Sequence, residues 1–185
     1  DRAMRLGYNW KVGPFELIDR LGPAWLAMAL EKDGTPVPPL LAAVGAGSFY
    51  RVREGRLQQF TGKLYENVQR PDGVLLLEDV KRASQPIARN MSASLWDIGD
   101  GIACLEFTSK MNSINPFILS MIEKAIRELP SRGFKGMVIH NEGSNFSVGA
   151  NIALLLYGAK LKLWPFIRWM LKRGQDTFQK MRFAP

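Results

Sequence analysis

The run Gly143-Ser144-Asn145-Phe146-Ser147-Val148-Gly149-Ala150-Asn151-Ile152 decides how the second half of this chain reads. An apolar stretch, Met137-Val138-Ile139, precedes it and an apolar, helix-like segment follows, so it reads as a strand-to-helix turn. Two glycines and small neighbours leave main-chain N–H groups uncrowded where a helix begins. Such groups have no partner within the helix and face whatever lies before it. An oxygen that turns negative during a reaction is the guest this geometry favours. The plainer alternative is an ordinary strand-to-helix turn whose glycines serve the backbone alone.

Outward from that run the pattern is β/α. Leu95-Trp96-Asp97-Ile98, the turn Gly99-Asp100-Gly101 and the stretch Ile102 to Phe107 predict a hairpin. Asn115-Pro116 opens a helix to about Leu129, with Ile118, Leu119, Ile122, Ile126 and Leu129 on one face. Gly133 leads into a buried strand, Gly136 to His140, and after the turn come helices over about 151–158 and 162–182. Strand, strand, helix, strand, glycine turn and helix make a ββα beginning with too few strands to complete a sheet layer.

The first half differs. Residues 1–48 are rich in helix signals. Gly13-Pro14 opens one helix, Gly22-Pro23 ends it and opens the next, Asp33-Gly34 stops that, and a short third helix runs from Pro38 to Val44. Residues 49–65 change period, with two short runs flanking Arg53-Glu54-Gly55 as a small hairpin. Residues 66–94 are polar and proline-bearing, with a helical turn foreseen at Leu77 to Arg82, and read as a linker. Three segments follow: 1–65, the linker 66–94, and 95–185.

Composition sets the outer limits. A hydrophobic share of 46% is that of a globular protein. One cysteine, Cys104, excludes an internal disulfide and any thiolate cluster, and points with the lack of a signal peptide to the cytoplasm. The net charge of +8 is scattered, so nucleic acid is not the expected partner, whereas a phosphorylated small molecule suits a modest basic surplus. No stretch reaches the roughly 18–20 uncharged residues of a membrane-spanning helix. Both ends look cut, so the expectation is a fragment of something longer.

Two phrases carry a resemblance. Ala3-Met4-Arg5-Leu6-Gly7-Tyr8-Asn9-Trp10 followed by Gly13-Pro14-Phe15-Glu16-Leu17-Ile18-Asp19 resembles the C-terminal helical domain of 3-hydroxyacyl-CoA dehydrogenases. Phe146-Ser147-Val148-Gly149-Ala150-Asn151-Ile152 looks like the oxyanion-hole turn of the crotonase superfamily of enoyl-CoA hydratases and isomerases. Their succession is similar to one class of fused fatty-acid oxidation enzyme. The implied fold is α plus α/β: a small all-helical dehydrogenase domain over 1–65, joined to an incomplete crotonase-like ββα spiral over 95–185.

The resemblance also implies roles. The catalytic contribution is the main-chain N–H of Ala150, as an oxyanion donor to an acyl-CoA thioester. Lys110, Met111, Gly149, Asn151 and Ile152 are implied around the substrate, with Asn151 standing where the family commonly has aspartate. A second oxyanion glycine and the catalytic carboxylates are missing from the chain. So are the dehydrogenase's glycine fingerprint and its His–Glu pair, since Gly45-Ala46-Gly47 ends a helix. The implied cofactor is NAD in the parent enzyme, bound upstream, with no metal. The partner is an acyl-CoA thioester, and the resemblance allows an oligomer through the crotonase-like portion. Glu123 and Glu128 read as solvent-facing, His140 as structural, and Glu16 and Asp19 as caps or surface charges.

Two other readings stand beside this one. The fragment, expected to be inactive alone, would be a non-catalytic acyl-CoA-binding or interaction module. Alternatively, residues 153–173, where Leu161, Leu163, Trp164, Phe166 and Trp169 lie among Lys160, Lys162, Arg168, Lys172 and Arg173, would touch a membrane surface or a partner. A helix pair covering the acyl pocket is the preferred account of that stretch, and membrane contact is not expected.

Overall fold

A computed structural model describes residues 1–143 and 145–184; Ser144 of the decisive run and Pro185 lie outside the described residues. The chain mixes helix and sheet in an α+β arrangement and divides into two compact units, 1–83 and 84–185.

In the first unit, α1 (Arg2–Gly7), α2 (Pro14–Leu21), α3 (Pro23–Lys32) and α4 (Pro39–Val44) lead into a three-stranded antiparallel meander, β1 (Tyr50–Arg53), β2 (Arg56–Phe60) and β3 (Tyr65–Asn67), and then α5 (Leu77–Ala83). Prolines open α2, α3 and α4, where a missing N–H costs nothing. The head of α2 is capped twice. Glu16 accepts from the Gly13 N–H at 2.8 Å, and the Asp1 carboxylate accepts from Phe15 and Glu16 N–H groups. The hairpin turn Glu54-Gly55 has positive φ at both residues (54° and 71°), the conformation that lets two strands keep their twist across a two-residue loop. Leu41, Val44 and Phe49 form a small core, against which Ile18, Leu26, Leu30 and Phe60 pack. Asp19 does not serve as a cap. Its two oxygens accept the Phe49 and Tyr50 N–H groups at 2.6 and 2.8 Å, which fastens β1 to α2.

In the second unit, β4 (Ala88–Arg89), β5 (Ala93–Asp97), β6 (Ile102–Phe107) and β7 (Gly136–Ile139) form a sheet in that order. The first three pair antiparallel and β7 runs parallel to β6. A parallel partner needs a crossover, and α6 (Pro116–Glu128) supplies it. Asn115 caps α6, its Oδ1 accepting from the Phe117 and Ile118 N–H groups. One sheet face (Ala93, Leu95, Ala103, Leu105, Phe107) packs on the apolar stripe Ile118, Met121, Ile122 and Ala125 of α6 and on Leu129 just after it. Helices α7 (Ile152–Lys160) and α8 (Trp164–Arg182) complete the unit.

Several expectations change. The hairpin at 49–65 gains a third strand, so the first unit is not helical throughout. Residues 66–94 hold the end of β3, all of α5 and β4, and so contribute folded elements to both units. The strand read as buried at 136–140 lies at the edge of the sheet, paired among the described residues on one side only, with Val138 45% exposed and His140 at the surface. Glu123 is turned toward α8 rather than solvent, where it holds Arg173 and Thr177. Glu128 does lie at the surface, among Lys124, Arg127 and Arg132.

Candidate functional site

The loop after β6 and the loop after β7 meet and are sewn together by hydrogen bonds. After β6, Lys110–Asn112 makes a single 3-10 turn in which Met111 and Asn112 both adopt the left-handed conformation, each with φ of 54°. Left-handed backbone is uncommon for residues other than glycine and costs energy unless neighbours hold it in place. The neighbours here are residues of the second loop. Asn112, largely buried, donates its side-chain amide to the Asn145 carbonyl at 2.9 Å, while its own carbonyl accepts from the Ser147 hydroxyl at 2.7 Å. The Met111 carbonyl accepts from the Val148 N–H at 3.3 Å.

Asn141 secures the other end. Its Oδ1 accepts the Phe107 N–H at the end of β6 at 2.7 Å, and its Nδ2 donates to the Phe146 carbonyl at 2.6 Å. A buried amide with both functions satisfied holds a loop more firmly than apolar contact alone.

Gly149 and Ala150 follow. Gly149 has φ of 81°, and an added Cβ would meet nothing within 4 Å, so glycine is required for the backbone angle and not for space. Ala150 forms a parallel bridge with Ile114: the Ile114 N–H donates to the Gly149 carbonyl at 2.7 Å, and the Asn151 N–H to the Ile114 carbonyl at 2.9 Å. In that geometry the bridged residue's own N–H points away from its partner strand. The N–H of Val148 goes to Met111, that of Gly149 to Ser147 Oγ at 3.1 Å, and that of Asn151 to Ile114. Ala150 alone of these four has an N–H without an acceptor among the described residues, and it is exposed.

Asn151 caps α7, its side chain accepting from the Leu154 N–H at 3.4 Å. An uncharged amide therefore does at this helix start what an aspartate would do. Ile152, 73% exposed, begins the helix, and the first-turn N–H groups leave a positive helix end beside Ala150. Met111 is 56% exposed and shares the hydrogen-bonded junction with Val148 to Asn151; Lys110 sits next to it at the surface. Asn112, Asn141 and Ser147 have side-chain roles that the sequence alone does not give, although asparagine and serine in loops commonly bond nearby backbone.

Other groups are engaged elsewhere. On the sheet face opposite the core, Trp96 Nε1 donates to Glu106 Oε2 at 3.2 Å, and burial first, then the charge of Glu106, pushes the Cys104 thiol up. Among the described residues no group of three His, Cys, Asp or Glu side chains is set to hold a metal, and no helix is long and apolar enough to cross a membrane. Gly45-Ala46-Gly47 joins α4 to β1, a helix-to-strand order, whereas the phosphate turn of an NAD site joins a strand to a helix. Gly45-Ala46-Gly47 is therefore not a phosphate turn of that kind. The start of α8 exposes Trp164, Trp169 and Leu171 beside Arg168 and Lys172, around a shallow groove.

No family model matches the chain, and no solved structure matches it. Over its whole length the chain is similar to curated proteins. It is 35% identical over 187 residues to a Bacillus subtilis protein named a probable 3-hydroxyacyl-CoA dehydrogenase, covering 24% of that protein. It is 27% identical over 185 residues to a Rickettsia felis protein provisionally named a fatty acid oxidation complex trifunctional enzyme, covering 23% of it. A Rickettsia prowazekii protein of the same name is 26% identical over 187 residues, again with 23% covered. The chain thus spans about a quarter of the length of these relatives, and its similarity is to proteins named for 3-hydroxyacyl-CoA dehydrogenation and fatty-acid oxidation.

Proposed function

We propose that this chain belongs to a fatty-acid oxidation protein acting on acyl-CoA thioesters. In this reading residues 1–65 form the C-terminal helical domain of its 3-hydroxyacyl-CoA dehydrogenase, 66–94 the connection, and 95–185 the N-terminal portion of a crotonase-like enoyl-CoA hydratase or isomerase. The observation that carries the reading is the Ala150 N–H. Among the described residues it has no acceptor at the head of α7, while the N–H groups of Val148, Gly149 and Asn151 are all taken.

The chemistry follows from that donor. When water adds across a trans-2-enoyl-CoA, charge collects on the thioester oxygen, and a fixed N–H aimed at it stabilises the charged state more than the ground state. One such donor is worth about 2.7–4 kcal/mol of barrier in other oxyanion holes. The helix end of α7 adds to the same field. Met111 and Ile152 would line the CoA path, with Lys110 in reach of a phosphate and Asn151 keeping the helix start in shape. In the whole protein NAD would accept hydride from the 3-hydroxyacyl-CoA at residues other than those described here.

A second reading, that these residues bind acyl-CoA without catalysing, draws on the carboxylates of α6. Glu123 is committed to Arg173 and Thr177, and Glu128 to surface cations, so neither is free to serve as the hydratase's acid or base. The two are separated by assaying the complete protein for enoyl-CoA hydration and NAD-linked 3-hydroxyacyl-CoA oxidation, with calorimetric titration of a CoA thioester beside the assays. Turnover supports the first reading and binding without turnover the second. A protein that neither binds nor turns over acyl-CoA sinks both.

A further inference from the structure

We infer that Ser147 is a positioning residue: its hydroxyl selects Ala150 as the donor by occupying the neighbouring N–H and tying the turn to the loop after β6. The inference rests on the oxyanion reading of this turn and adds the device that makes it specific.

One hydroxyl has two jobs here. Ser147 Oγ accepts the Gly149 N–H at 3.1 Å and donates to the Asn112 carbonyl at 2.7 Å. A hydroxyl has one proton to give and lone pairs to receive, so both bonds are made at once. The first has a chemical consequence. Gly149 and Ala150 are consecutive, and a free N–H on Gly149 would compete for the same negative oxygen from a different direction. With Gly149 occupied, Val148 bonded to Met111 and Asn151 bonded to Ile114, Ala150 is the one of these four consecutive residues whose N–H has no acceptor among the described residues.

The second bond sets where that donor stands. Asn112 is held in a left-handed conformation (φ 54°) and is largely buried, and its amide also fastens the Asn145 carbonyl. Ser147 therefore hangs from an anchor that is fixed at both ends. Alanine at 147 would fit, since only an oxygen is lost, but it would free the Gly149 N–H and untie the turn from Asn112. Misplacing a reacting group by a fraction of an ångström slows a reaction without abolishing binding, because the ground state tolerates loose donors better than the transition state does.

The test uses the complete protein with an enoyl-CoA substrate, and a CoA thioester carrying a 13C carbonyl whose stretching frequency reports polarisation. Ser147→Ala is expected to lower kcat about tenfold with KM within about twofold, and to lose much of the carbonyl red shift seen in the unaltered protein. Ser147→Thr, which keeps the hydroxyl, is expected to recover most of both. Circular dichroism and the unfolding midpoint identify any variant that fails to fold, and the threonine variant then carries the comparison. Unchanged kcat and carbonyl shift in Ser147→Ala overturn the role given to Ser147 and leave the oxyanion reading standing. A loss that Ser147→Thr does not recover, in a folded protein, also overturns it. If the unaltered protein itself shows no carbonyl shift, the oxyanion reading falls and takes this one with it.

Discussion

Thr177, with none of its surface exposed, donates its hydroxyl to Glu123 Oε1 at 2.8 Å, bonding α8 to the crossover helix α6. Arg173, one turn earlier, grips both oxygens of the same carboxylate, Nη2 at 2.8 Å and Nε at 3.3 Å. Two rungs on one face of α8 meeting a single carboxylate make a clamp. Thr177→Val keeps the volume and removes the hydroxyl, so α8 should lose about 1 kcal/mol of its attachment. Glu123→Gln, which takes the charge from beside Arg173 as well, should cost more, about 2 kcal/mol. Urea unfolding gives the totals. Hydrogen exchange confined to residues 164–182 would show that attachment of α8 is what weakens.

The same clamp predicts a pH dependence. Hydrogen bonding from Arg173 holds the Glu123 carboxyl below its ordinary value of 4.5; burial opposes the shift, and Thr177, the charge of Arg173 and that of Lys180 reinforce it. A carboxyl lowered in the folded state adds stability that is complete above the unfolded value and is lost as pH falls through the folded one. Arg173 stays charged throughout, its own value raised by the same partner. The stability gap between the unaltered protein and Glu123→Gln should therefore be full at pH 7 and shrink steadily below about pH 4.5. A gap that is constant from pH 7 to pH 3 would exclude the clamp.

Asn141 predicts a chemical asymmetry between two small changes. Asn141→Ala leaves the Phe107 N–H and the Phe146 carbonyl without their partner, each a penalty of about 1–3 kcal/mol when buried. Asn141→Asp keeps the acceptor for Phe107 but turns a carboxylate oxygen toward the Phe146 carbonyl. The aspartate variant should thus recover stability on acidification, as its carboxyl gains a proton to donate, and the alanine variant should not. Thermal unfolding at pH 7 and pH 4.5 separates them.

Much of the fold is legible in the sequence because its signals are local. Asn115-Pro116 starts α6, the glycines around Asp100 turn the β5–β6 hairpin, and the stripe from Ile118 to Leu129 names the helix face that meets the sheet. Long-range facts are what escape. Asp19 lies on α2 like any exposed helix acid, and its bonds to Phe49 and Tyr50 span 30 and 31 residues. Glu123 and Arg173 are 50 residues apart, and no helical periodicity announces that they face each other. The turn at Gly149 is legible as a donor site, but not the choice among its donors. That choice depends on Met111, Asn112 and Ile114 arriving from another loop. β7 reads as buried because Met137-Val138-Ile139 is apolar, yet among the described residues it pairs on one side only and leaves Val138 half in solvent.

Asp19→Asn should separate the attachment of β1 from the rest of the first unit. The carboxylate offers one oxygen to each of two N–H groups, at 2.6 and 2.8 Å; an asparagine can offer one oxygen and sets its NH2 against the other N–H. A loss of about 2 kcal/mol is expected, seen as an earlier urea transition and faster hydrogen exchange at Phe49 and Tyr50. Exchange at those two amides matching the unaltered protein would show that Asp19 does not hold the strand.

A pair of substitutions at adjacent positions distinguishes a backbone donor from a side-chain effect. Ala150→Ser keeps the N–H and adds only a small exposed group, so hydration by the complete protein should change by less than about threefold if the main chain is the donor. Gly149→Ala adds a single methyl with nothing within 4 Å to strike, yet it must hold φ of 81°. A residue with a Cβ pays roughly 1 kcal/mol for that conformation or moves the peptide out of it. Moving it turns the Ala150 N–H, because the peptide that carries this N–H begins at Gly149. Gly149→Ala is therefore expected to lower kcat by ten- to a hundredfold with little change in KM, the larger effect coming from the residue that donates nothing to the substrate. The reverse ranking, with Ala150→Ser the damaging change, would mean that the side chain at 150 and not its N–H meets the substrate.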